Sequence, residues 1–221
     1  FEIMLAENFQ VGFAEKLEFS RVHGYFLAIA GFCRCPAFLV LRKIIELNFR
    51  KEKKIIREVY GASGLIKVLD IGCGTGEYSG CFDPEEYTGI DISEDYIKYA
   101  KKTKKGNFLV MDATKISFPN DAFDFILIAA ILHHLSDEDS RSVLREAKRV
   151  LRPDGKILIM EDAKIPSLDS SIVKFIQSFD IGAHIRTPEE YTKIFLSHFT
   201  IKREWQFRNG GCTYYAALME K

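Results

Sequence analysis

Residues 68 to 76 read Val-Leu-Asp-Ile-Gly-Cys-Gly-Thr-Gly, an apolar run that passes directly into a loop with glycine at every second position. Lacking side chains, Gly72, Gly74 and Gly76 let the backbone turn tightly and come within contact distance of a ligand, with the next helix N-terminus facing it. Two acids follow at the ends of later apolar runs. Asp91 stands where a carboxylate can accept both hydroxyls of a ribose, and Asp112 where one can reach the edge of an adenine ring. A dinucleotide-binding loop would carry its third glycine three residues after the second, but here that glycine is at 76 and position 77 is Glu77. Two successive carboxylates would also repel a pyrophosphate, so the pattern suits a cationic nucleoside without phosphates.

A second group of residues is suited to moving a proton. His133 and His134 follow the fourth apolar run, and imidazole titrates near neutrality, which makes either a candidate general base. Glu161 and Asp162 follow the fifth run and face the same edge, where they could pair with a cation or accept a proton. His184 and Arg186 precede Thr187; Arg186 could grip a carboxylate or phosphate bidentately, although a structural ion pair is the preferred reading. No metal site is expected. The five cysteines, Cys33, Cys35, Cys73, Cys81 and Cys212, lack the paired short spacings of a tetrahedral zinc centre and read as reduced thiols.

These residues must be positioned by alternating strands and helices. Residues 66 to 71, 87 to 90, 107 to 111, 123 to 129 and 156 to 160 are short apolar runs bounded by polar turns, and the segments 77–82, 94–104 and 136–151 between them carry helical patterns. The alternation predicts a doubly wound α/β fold, a mostly parallel seven-stranded sheet with helices on both faces. Thr187-Pro188-Glu189-Glu190 has the marks of a capped helix start. Asn209-Gly210-Gly211, between strand-like runs 201–207 and 213–219, predicts that the sheet closes with an antiparallel C-terminal hairpin strand. Residues 1–60 read as an N-terminal helical extension, with Phe9, Phe13, Phe19, Tyr25 and Phe26 available to wall a site as a lid, and residues 61–221 as the ligand-binding domain.

Through residues 68 to 76, Gly89-Ile90-Asp91-Ile92-Ser93, Met111-Asp112-Ala113, Asp121-Ala122-Phe123-Asp124 and residues 151 to 156, the chain resembles the class I S-adenosylmethionine-dependent methyltransferases, in their small-molecule branch. The resemblance spans roughly residues 64 to 162. It implies that Asp70 orders the loop and helps receive the methionine amino group, that Gly72, Gly74 and Gly76 contact the methionyl part, and that Asp91 binds the ribose. Asp112 with the Ala113 amide would hold the adenine, Ile92 would stack on it, and Ala129 would offer it a backbone carbonyl. His-His-Leu after the fourth strand recurs in that branch, so the resemblance also points to His133 and His134 for catalysis. The implied activity is in-line methyl transfer from S-adenosylmethionine to a small organic acceptor, leaving S-adenosylhomocysteine. Two other readings stay open: a methyltransferase of lipid or quinone acceptors at the membrane surface, and a non-catalytic S-adenosylmethionine-binding partner subunit.

Composition narrows the partners. With 31 Lys and Arg against 31 Asp and Glu, the 221-residue chain has no net formal charge, so it lacks the basic excess of a duplex-binding protein and no nucleic-acid partner is expected. The most apolar window, residues 25 to 41, is interrupted by Arg34 and Pro36, and acidic Glu2, Glu7, Glu15 and Glu18 stand where a leader would be basic and apolar. No integral membrane association is expected, and the location expected is cytoplasmic. The first 60 residues carry ten basic and seven acidic side chains, an excess that reads as a solvated helix face.

Overall fold

The computed structural model describes residues 47–61, 67–168 and 184–221, all within one compact unit that spans residues 45–221. The aromatic lid expected from Phe9 to Phe26 lies outside the described residues, as does the Cys33–Cys35 pair. Seven strands form one sheet: β1 (Val68–Ile71), β2 (Tyr87–Asp91), β3 (Asn107–Val110), β4 (Phe123–Ala129), β5 (Leu151–Asp162), β6 (Thr200–Asn209) and β7 (Cys212–Glu220). Their spatial order is β3-β2-β1-β4-β5-β7-β6. Neighbours from β3 to β5 pair in parallel, and β7 runs antiparallel to both β5 and β6. The chain winds outward in both directions from the β1–β4 junction, and in such sheets a crevice opens at that reversal beyond the carboxyl ends of the strands.

Helices α1 (Arg50–Gly61), α2 (Glu94–Thr103), α3 (Asp137–Val150) and α4 (Pro188–Phe195) accompany the sheet. Strand side chains alternate between its faces. Leu69, Ile71, Ile126 and Ile128 join Val143, Leu144 and Ala147 of α3 and Ile194 of α4 in one core. Val68, Phe125 and Leu127 join Ile55, Ile56 and Val59 of α1 and Ile97 and Ala100 of α2 in the other. Helix α1, assigned with the extension from sequence, thus buries its apolar stripe in the same core as the sheet. The same alternation sends Asp70, between Leu69 and Ile71, into the α1–α2 side.

The expected helix over residues 77–82 is instead a single 3₁₀ turn, Ser79–Cys81. The stretch between Gly76, at φ +74°, and Pro84 is too short to repay the nucleation of an α-helix, and Gly80 weakens it further. Phe82 anchors the turn, its ring centroid 4.9 Å from Tyr60 and 5.6 Å from Tyr87. Beside it lies a cleft of about 450 Å³ lined in part by Lys53, Arg57, Glu77, Cys81 and Lys104. Residues 152–155 form an excursion within β5, between Leu151 opposite Phe123 and Lys156 opposite Phe125.

The predicted capping box is present: Glu190 N donates to Thr187 Oγ1 at 3.3 Å, and Thr187 N to Glu190 Oε2 at 2.8 Å. Thr187→Ala removes the acceptor for that helical amide and is expected to cost about 1 kcal/mol, measurable as a lower urea midpoint at unchanged slope.

Candidate functional site

The glycine loop is held by the sheet at its near end. Gly72 N and Cys73 N both donate to Ile90 O, at 2.8 and 2.9 Å. Gly72 has φ +74°, and a Cβ on it would stand 2.2 Å from Ile131 Cγ2, so neither the conformation nor the space admits a side chain. Gly74, at φ +52°, differs: a Cβ there would meet nothing within 4 Å. The open ground over Gly74 is where the backbone is available to a ligand.

Asp91 ties this loop to the next. Its Oδ2 accepts from Gly74 N at 2.9 Å and its Oδ1 from Ser93 N at 2.8 Å. Both oxygens keep further lone pairs, and burial raises the carboxyl pKa against the lowering effect of these two amides. Ile92, the next residue, is 73% exposed, an unusual setting for an aliphatic side chain beside a buried sheet. Asp112 lies in the loop after β3, exposed, its Oδ1 accepting from Thr114 N and Thr114 Oγ1, both at 2.8 Å. These bonds hold its pKa below the usual carboxylate range. Ala113 beside it is packed against the core, and Ala129 is buried at the end of β4. The structure therefore brings Gly72, Gly74, Gly76, Asp91, Ile92, Asp112, Ala113 and Ala129 to the loops at one edge of the sheet.

Asp70 occupies a different level. It is buried under the loop, where its Oδ2 accepts from the Tyr87 hydroxyl at 2.6 Å. Sequence reading missed Tyr87. The usable signal was Gly89, opposite Asp70 in the sheet: a Cβ there would stand 3.0 Å from the Tyr87 hydroxyl oxygen and 2.8 Å from Cys73 Sγ. A glycine inside a strand marks such a close approach.

The two histidines are not equivalent. The 3₁₀ turn Leu132–His134 follows β4, and His133 within it is 1% exposed, with Nδ1 2.7 Å from Glu161 Oε2 and Nε2 3.7 Å from Asp162 Oδ2. Both ring nitrogens of this candidate general base lie near buried carboxylates. His134 is exposed and its ring centroid lies 4.0 Å from that of His133. Glu161 and Arg186, read as possible ligand contacts, are likewise engaged within the protein. Glu161 accepts from Ile131 N, Leu132 N and His133 N at 2.9–3.3 Å. Arg186 bonds Asp137 Oδ1 through Nε at 3.0 Å and Nη2 at 2.7 Å, the structural ion pair preferred from sequence. The exposed His184 contributes its backbone N–H, which donates to His133 O at 3.0 Å.

Residues 69–159 match the methyltransferase domain family. The chain is 35% identical over 127 residues to the ubiquinone/menaquinone biosynthesis C-methyltransferase of Shewanella sediminis, covering 52% of this chain and 50% of that protein. It is 38% identical over 100 residues to the demethylmenaquinone methyltransferase of Thermotoga maritima, covering 43% of each. The chain thus spans about half the length of these curated relatives. Magnesium protoporphyrin IX methyltransferase of Synechocystis, solved with S-adenosylhomocysteine, superposes with a TM-score of 0.68 over 88% of this chain and 99% of that one, at 15% identity, which bears on fold alone. Among the described residues, no helix is long and apolar enough to cross a membrane, and no group of three or more His, Cys, Asp or Glu side chains is placed to hold a metal ion.

The glycine loop and the acid beneath it each give an expected outcome. Gly72→Ala should destabilise the fold by about 2 kcal/mol through overlap with Ile131, whereas Gly74→Ala, with open space but positive φ, should cost about 1 kcal/mol; chemical denaturation of both variants checks the order. Burial raises Asp70 from 3.8 to about 7, against the lowering effect of the Tyr87 bond and with Asp91 adding to the rise. Since the folded chain keeps this proton to higher pH than the unfolded one, stability is expected to decline as pH rises from 3.8 toward about 7 and then to level off. In Asp70→Asn the decline should flatten and the melting temperature at neutral pH should rise; an unaltered slope would assign the dependence elsewhere.

Proposed function

We propose that this protein is a cytoplasmic enzyme that methylates a small organic acceptor at the expense of S-adenosylmethionine. The observation that carries the reading is the junction at Gly74: half-buried main chain with open space above it, tied at 2.9 Å to a carboxylate that is followed by an exposed Ile92. A cationic nucleoside fits these groups. Asp91 retains lone pairs for ribose hydroxyls, Ile92 offers an apolar surface for the adenine, and Asp112 with Ala113 and the Ala129 carbonyl stand at the same edge to receive its polar rim. Buried Asp70 lies beneath the loop, where a bound cation would favour its ionised form.

When bound, the sulfonium supplies an activated methyl group and a neutral thioether leaving group. The protein's own part is then alignment, exclusion of water and removal of one proton from the acceptor. His134 would take the last task, being exposed whereas His133 is enclosed.

A narrower reading of the acceptor rests on the two curated relatives, both named as quinone-pathway methyltransferases. A hydroquinone-type ring would fit the chemistry: a new carbon–carbon bond forms as the carbon–sulfur bond breaks, and the displaced ring proton leaves through the base.

Calorimetric titration with S-adenosylhomocysteine is expected to show saturable binding that Asp91→Ala weakens about tenfold or more, the loss expected for a charge-assisted hydrogen-bonding group. No heat and no thermal shift with the unaltered protein would remove the proposal. With a demethylated hydroquinone and radiolabelled methyl donor, His134→Ala should lower kcat about a hundredfold, while binding of S-adenosylhomocysteine stays unchanged. Full turnover by that variant would exclude His134 as the base.

A further inference from the structure

The turn that follows β4, residues 131–135, is gripped at both ends by opposite charges. Its amides face an anion: Ile131 N and Leu132 N donate to Glu161 Oε1 at 3.1 and 2.9 Å, and His133 N to Glu161 Oε2 at 3.3 Å. Its carbonyls face a cation: Arg186 Nη1 donates to Leu132 O and Nη2 to Leu135 O, both at 2.9 Å. The remaining groups close on each other or nearby, His134 N on Ile131 O at 3.0 Å, Leu135 N on Leu132 O at 3.1 Å, and His184 N on His133 O at 3.0 Å. Glu161 is fully buried and Arg186 is 6% exposed, so these are charge-assisted bonds away from water, the kind that fix geometry most firmly.

The placement of the two charges follows the dipole of the turn. Amide hydrogens converge at its start and carbonyl oxygens at its end, so an anion belongs at the first and a cation at the second. Neither residue is spare. Removing the carboxylate would leave three amides and a ring nitrogen without an acceptor, and removing the guanidinium would strip both carbonyls of its donation.

This turn carries two things the site depends on. Ile131 stands where a Gly72 side chain would be and so forms the floor of the glycine loop. His134 lies farther along it, its ring tilted against that of His133 with centroids 4.0 Å apart, and the Nδ1 of His133 is 2.7 Å from Glu161 Oε2. A carboxylate in this setting only accepts, so Nδ1 carries the proton and the tautomer of His133 is set by Glu161.

We infer that Glu161 and Arg186 are positioning residues of the methyltransferase site: by clamping residues 131–135 from opposite ends they hold Ile131 against the cofactor loop and His134 at the acceptor side, touching neither ligand themselves. The inference deepens the function proposed above and rests on it for the identity of the ligand, while its geometric part stands by itself.

The test uses the full chain with Glu161→Gln, Arg186→Lys and the double variant, read by calorimetry with S-adenosylhomocysteine and by long-range ¹H–¹⁵N spectra of the histidine rings, both well below each melting temperature. Glutamine keeps the shape of glutamate but turns an NH₂ toward the His133 ring, so the spectra should show the His133 proton moving from Nδ1 to Nε2. Each single variant should bind S-adenosylhomocysteine about tenfold more weakly, and the double variant little worse than the weaker single one, because the two charges hold one element. A purely structural role predicts lowered melting temperatures with unchanged affinity and an unchanged His133 tautomer, and that result overturns the inference. Effects of the two substitutions that simply multiply would overturn the clamp as a unit. If Glu161→Gln fails to fold, Arg186→Lys alone decides: weaker binding with an intact melting transition supports the clamp, and unaltered binding rejects it. Absence of binding by the unaltered protein would remove the proposed function, whereas the tautomer of His133 would still report on Glu161.

Discussion

A buried parallel sheet must find partners for the backbone amides where its strands give way to loops, and here acids meet that demand. Asp91 accepts from Gly74 and Ser93, Asp112 from Thr114, and Glu161 from Ile131, Leu132 and His133. An unpaired amide in such a place would cost a large part of the stability of a small domain. The same solution gathers negative charge along one edge. Loop architecture and the acidity of this edge therefore have a common origin, and under the proposed function Asp91 and Asp112 would serve both.

Burial sharpens this arrangement. Desolvation pushes up the pKa of both Asp70 and Asp91, so the protein without ligand holds them at an electrostatic disadvantage that a positive partner would relieve. Asp112 is the counterexample within the same edge: exposed and bonded twice to Thr114, it stays easily ionised. The gradation from Asp70 through Asp91 to Asp112 runs from enclosed to open.

Much of this was legible in the sequence because it depends on local pattern. The apolar runs became strands nearly where expected, the Thr187 cap and the Gly210-Gly211 hairpin formed as their residue types dictate, and the glycine loop with Asp91 came together at the edge of the sheet. What could not be read were contacts between residues distant along the chain. Nothing in the spacing of Tyr87 and Asp70 announces a hydrogen bond, and nothing about His133 says that Glu161, 28 residues later, would enclose it while His134 stays open. Helical pattern in residues 77–82 failed for a different reason: a run that short has no stability of its own and takes the shape its neighbours leave it.

Strand β7 comes last along the chain yet lies second from the margin in space, between β5 and β6. Its Tyr215 and Tyr214 stand opposite Glu161 and Asp162. A growing polypeptide would therefore complete every ligand-facing loop long before the neighbour that braces them arrives. Maturation of the site waits on β7, and loosening that strand at Tyr214 or Tyr215 would be felt at the far end of β5 rather than only at the margin of the sheet.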